Sequence, residues 1–96
     1  MITIVFDTPI QRGTETLPQV QLRKPTAGEL RGLNLTDLLQ MEVSALQTVL
    51  PRITLPTLTK ADVAGMDPAD LLQLATEVAG FLLPKAARPE ALSPST

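Results

Sequence analysis

Residues 2–29 read ITIVFDTPIQRGTETLPQVQLRKPTAGE, and two periods meet in that stretch. Ile2, Ile4 and Phe6 alternate with Thr3, Val5 and Asp7, which predicts a strand over 2–7 with one buried face. Residues 8–13 carry Pro9 and Gly13 and read as a turn region. A second strand follows over 14–24, with Val20 and Leu22 facing in and Gln19, Gln21 and Arg23 facing out. Pro18 lies inside that run and demotes its first half to an edge or a bulge. The two strands pair as an antiparallel hairpin. A lone hairpin is marginal in water, so its apolar face requires a cover. At Pro25 the period changes. Thr26-Ala27-Gly28-Glu29 is a capping box, where the Thr side chain serves a first-turn N–H and the Glu reaches back.

Working outward from that junction, the rest of the chain reads as helical. Gly28 and Gly32 keep the first helix short. Asn34 then caps a helix with Asp37 at its third position, where the charge favours the helix dipole. Leu35, Leu38, Leu39, Val43, Leu46, Val49 and Leu50 recur at helical spacing, broken only at Glu42, and Pro51 ends the run. Residues 53–58, with Pro51 just before them and Pro56 among them, form an extended connection. Thr59-Lys60-Ala61-Asp62 starts a short helix that stops at Gly65. Asp67-Pro68-Ala69-Asp70 combines an Asp cap, Pro at the first helical position and Asp at the third. That helix runs through Leu71, Leu74, Val78 and Leu82 to about Leu83, and Pro84 closes it. The expected fold class is therefore α+β: an N-terminal antiparallel β-hairpin packed against three to four α-helices. One domain occupies 1–83, and a flexible Pro-rich tail follows over 84–96.

Composition narrows the chemistry. The 96 residues carry 8 Lys+Arg against 10 Asp+Glu, a formal charge of -2, with no His and no Cys. Zinc-thiolate sites, Ser-His-Asp and Cys-His catalysis lack their residues. Only Phe6 and Phe81 are aromatic, which leaves no platform for stacked bases. Residues 59–83 have a helix-turn-helix outline, but one lysine stands against four acids there, a sign that repels a phosphate backbone. Neither nucleic-acid nor membrane binding is expected, since the longest apolar stretches are short and interrupted by charge. Met1 to Phe6 lacks the basic start of a signal peptide.

Asp62, Asp67 and Asp70 cluster at two helix starts, and capping explains them better than a cation does, because the spaced acidic ligands of a calcium loop are missing. Asp37-Leu38-Leu39-Gln40 and Asp70-Leu71-Leu72-Gln73 are the same tetrapeptide, which any capped amphipathic helix favours. No catalytic residue, cofactor or metal is expected. Leucine is more abundant than a small hairpin-and-helix core needs, so part of it is expected to meet another chain. The candidate contact residues are Leu38, Leu39, Leu46, Leu71 and Leu72, with Arg23 and Arg31 as a basic rim. Met41 and Met66 are further candidates for a groove that receives a helix.

The order of these features is familiar. LRKPTAGELRG at 22–32, RITLP-x-LT at 52–59 and MDPADL at 66–71 occur in the same succession over residues 2–83. The chain resembles the Mu-like family of phage tail assembly chaperones. The resemblance implies a gene just ahead of the tape-measure gene of a long-tailed phage. It also implies binding to the tape-measure protein, which such a chaperone keeps soluble during tail assembly. It implies residence in the host cytoplasm and absence from the mature virion. A longer product made by ribosomal frameshifting is a feature of many such genes, and Leu83-Pro84-Lys85 permits a slippery run in the codons. Homo-oligomers are a further expectation. The rival readings are a small tail or baseplate subunit, an acidic regulator, and an inhibitor of a host protein.

Overall fold

A computed structural model describes residues 1–84. The α+β class holds. Three antiparallel strands lie in the order β1 (Ile2–Arg12), β2 (Glu15–Leu22) and β3 (Thr54–Leu55). A 3₁₀ turn (Ala27–Leu30) and four helices follow the hairpin: α1 (Leu35–Leu39), α2 (Val43–Ile53), α3 (Lys60–Ala64) and α4 (Pro68–Phe81). The helices cover one face of the sheet. Ile4, Phe6, Val20 and Leu22 supply the strand side of the core, and Leu38, Leu46, Leu50 and Leu74 supply the helix side. The tail expected over 84–96 lies, apart from Pro84, outside the described residues.

The hairpin is longer than its alternation suggests. β1 does not stop at Asp7 but continues to Arg12, and the turn shrinks to Gly13-Thr14. Gly13 has φ +59, and a glycine at the first position of a two-residue turn matches the twist of the flanking strands. The register shifts between Val5 and Ile10, so four residues of β1 stand opposite Pro18. The inward series on β2 then steps from Val20 to Leu17, an odd interval, and this breaks the period of two that locates a strand. Pro18 sits where the irregularity tolerates a missing N–H, as its position in the sequence suggests.

Two helix boundaries also differ. The run expected over 35–50 is two helices. Met41 takes φ +59, the Met41 amide donates to the Leu38 carbonyl at 3.0 Å, and the Glu42 amide donates to the Asp37 carbonyl at 2.9 Å. That pair of bonds is a Schellman motif with methionine at the position glycine usually takes. Pro51 does not end α2, which continues to Ile53. Proline inside a helix costs about 3 kcal/mol, and burying a large aliphatic side chain returns about 1.5–3 kcal/mol. Leu50 and Ile53 are both buried, so packing carries the helix past the proline. Residues 54–55, read as a connection, pair with Gln21 and Leu22 as the third strand.

Candidate interaction surface

Three arrangements of polar side chains fix the elements, and they decide which residues stay free. The first holds the irregularity in β1. Asp70 is fully buried near the start of α4, and its carboxylate accepts from the Asp7 amide at 2.7 Å and the Thr8 amide at 2.9 Å. Gln73 Nε2 donates to the same carboxylate at 3.2 Å. The residue expected to complement a helix dipole thus also binds the displaced strand to the helix.

The second arrangement closes the C-terminus of α2, where carbonyls lack helical partners. The Arg23 amide donates to the Ile53 carbonyl at 3.0 Å, and the Arg23 guanidinium donates to the Arg52 carbonyl at 2.9 Å. The buried Thr54 hydroxyl donates to the Leu50 carbonyl at 2.8 Å and accepts from the Leu58 amide at 3.0 Å. Arg23 also forks onto both oxygens of Glu29. Glu29 reaches back to the Thr26 amide at 3.0 Å, as a capping box requires. The hydrogen bonds from Arg23 and then from Thr26 hold the Glu29 carboxyl down at about 2. Arg52 Nη1 donates to the carbonyls of Glu29 and Arg31.

The third arrangement pins the hairpin tip. Arg12 Nη2 lies 2.7 Å from Asp62 Oδ2 and also donates to the Thr57 carbonyl. Burial pushes the Asp62 carboxyl up, but the bonds from Arg12 and Thr59 outweigh it and hold the carboxyl below its ordinary value. Asp67 accepts from the Ala69 amide at 3.1 Å. Each of the three acids thus has a structural partner, and no group of three metal-ligating side chains occurs among the described residues.

The candidate contact residues separate accordingly. Leu38 and Leu46 are interior, so the expectation that they meet a partner is corrected: each fills the core beneath the sheet. Leu71 is half-buried and packs against that core. Leu39 and Leu72 remain on the surface, at 44% and 58% exposure. Arg23 is committed to Glu29 and the end of α2. Arg31 is exposed and lines a shallow depression with Gly28, Glu29 and Arg52 that shares no residue with the leucines. Met66 is buried and Met41 half-buried, so neither lines an open groove.

Leu35 and Val43, assigned to the apolar helix face, are exposed instead. A five-residue helix makes little more than one turn and turns only Leu38 inward. Leu35 and Leu39, four apart, share its outer side, and Val43 opens the next helix. A second apolar area, at Val5 and Leu55, lies on the side of the sheet away from the helices. The brevity of α1 is the signal that exposes these residues, and it depends on the break at Met41.

The chain is a small α+β domain in which Asp70, Arg23, Glu29, Thr54, Arg12 and Asp62 hold the frame, and whose surface carries exposed aliphatic side chains at Leu35, Leu39, Val43 and Leu72. A family model described as "Phage tail assembly chaperone proteins, E, or 41 or 14" matches residues 3–83, and the chain belongs to that family. Tail assembly protein E of Escherichia phage P2 is 46% identical over 43 residues, which are 45% of this chain and 47% of that protein. Tail assembly protein E' of the same phage is 48% identical over 43 residues, 45% of this chain and 30% of that protein. E' is thus the longer of the two, and the aligned stretch spans about half of E. No solved structure matches the chain. No described helix is long and apolar enough to cross a membrane.

Proposed function

We propose that this chaperone binds the phage tape-measure protein and keeps it soluble until tail tube subunits assemble around it. It acts by contact, without catalysis, in the host cytoplasm and apart from the finished virion. The observation that carries the reading is the exposed aliphatic set Leu35, Leu39 and Val43, next to a core that already holds Leu38 and Leu46. Aliphatic side chains spaced along a helix receive the apolar stripe of a partner helix. The net charge of -2 favours a soluble complex. The E and E' pair supports a second product for this chain as well, a longer form made by frameshifting near Leu83-Pro84-Lys85. Sequencing the gene tests that part, and a slippery run at those codons is the expected result.

Co-expression tests the main claim. The tape-measure protein is expected in the soluble fraction only when this chain is present. Leu39→Asp should leave the circular dichroism spectrum intact and abolish the rescue. A tape-measure protein that stays soluble alone, or rescue unchanged by Leu39→Asp and by Leu35→Asp, would remove this reading.

A further inference from the structure

We propose that the outer edge of β1 pairs antiparallel with β1 of a second copy of this chain, about a two-fold axis at Ile4. The Arg23 amide donates to Ile53, so the odd-numbered residues of this part of β2 direct their main-chain groups toward β3. Leu22 and Val20 therefore face β1, where they pair with Ile2 and Ile4. Thr3 and Val5 then point their N–H and C=O groups outward, and among the described residues nothing bonds them. The next outward amide, at Asp7, is taken by Asp70. The open edge is thus a short run centred on Ile4.

Several properties of that run fit a second copy. Residues 1–6 carry no charged side chain, no lysine and no proline, the devices that usually keep a strand edge unpaired. The three most exposed large apolar side chains of the described residues all flank it: Met1 at 70%, Val5 at 61% and Leu72 at 58%. Beside the edge lies a groove of about 320 Å³, lined by Ile4, Ala69, Leu72, Gln73, Thr76 and Glu77. An added strand places every second side chain over such a groove.

The register is self-complementary. Antiparallel pairing about Ile4 sets Thr3 opposite Val5 of the second copy, and Val5 opposite its Thr3. Both are hydrogen-bonded pairs, so the outward groups of both residues are satisfied in each chain at once. The Ile4 side chains of the two copies meet between them, and a Leu72 from each side closes over the pair. The two sheets become one of six strands, joined by an isologous contact.

Sedimentation of the intact chain tests this, with an expected particle of twice the 10.3 kDa chain mass. Thr3→Pro removes an outward N–H that the hairpin itself does not use. It should yield a single-chain particle with an unchanged circular dichroism spectrum. Cysteine placed by Thr3→Cys in one sample and Val5→Cys in another checks the register, because the chain has no cysteine of its own. Facing residues of a hydrogen-bonded pair lie about 5.5 Å apart, within disulfide reach. Oxidising the mixture should give covalent dimers, and oxidising either variant alone should give few. A single-chain particle at every concentration, a dimer that survives Thr3→Pro, or equal cross-linking by either variant alone would overturn the proposal. So would a monomer whose edge takes up a foreign extended peptide that Thr3→Pro excludes.

Discussion

Replacing Asp70 with alanine should be among the most damaging single changes in the chain. The substitution removes two bonds to an ionised acceptor, 2.7 and 2.9 Å long, from the Asp7 and Thr8 amides. Hydrogen bonds to a charged group contribute about 1.5–3 kcal/mol each, so the gross loss is about 3–6 kcal/mol. Two effects reduce it. Asp7 and Thr8 are exposed, so water reaches their amides once the side chain is cut back. A buried carboxylate also carries a desolvation cost that alanine does not. A net loss of about 2–4 kcal/mol remains, against a total of about 5–15 kcal/mol for a small domain. In a chain of this size that lowers the melting temperature by roughly 10–25 °C. Urea denaturation followed by circular dichroism measures the first quantity. Hydrogen exchange at the Asp7 and Thr8 amides tests the mechanism, since protection there should fall most. Asp67→Ala is the control, because it removes an exposed cap worth about 1 kcal/mol. An Asp70→Ala variant no less stable than Asp67→Ala would refute the claim that this carboxylate ties the strand to the helix.

Acid should weaken the closure of α2 through Glu29. Its carboxyl titrates near 2 in the folded chain instead of its ordinary 4.5, so its contribution is complete above that ordinary value and is lost as pH falls from about 4.5 toward 2. Glu29→Gln should flatten the stability profile in that window, and a Glu29 resonance titrating near 4.5 in the folded protein would contradict the assignment. Thr54→Val should cost about 1–3 kcal/mol, because a buried carbonyl and a buried amide both lose their partner. Thr54→Ser should recover most of it in the same denaturation assay, and equal losses for both variants would point to packing instead.

The caps at Thr59 and Asp67 were legible in the sequence. Asn34 stands at its helix start but turns its side chain to Asp37 and to no first-turn amide, and most of the boundaries were not legible. Thr59 with Asp62 and Asp67 with Pro68 mark their helices where the structure has them, because a cap is a local device. The break after α1 left no such mark. Its left-handed residue is Met41, and a reader expecting glycine or asparagine there sees a continuous helix. Pro51 misleads in the opposite sense, since the burial that carries α2 onward is a tertiary fact. β3 is two residues long and has no period to detect. The extension of β1 depends on Asp70, more than sixty residues away, and no local pattern announces it.

The contact surface was only partly legible, for a related reason. Helical spacing alone put Leu35, Leu38, Leu39 and Val43 on one face. Whether a leucine on that face is core or surface depends on where the helix ends, and Met41 settles it. The stretches that carry the family resemblance add nothing to that choice. Arg23 and Glu29 come from the first, Arg52 and Thr54 from the second, and the four meet at the end of α2. Their chemistry holds a helix against a strand. A resemblance resting on these residues therefore tracks the frame, while Leu35, Leu39 and Val43 lie in the segment between. A relative that keeps 22–32 and 52–59 but changes the residues matching Leu35, Leu39 and Val43 should keep this fold and grip a different helix.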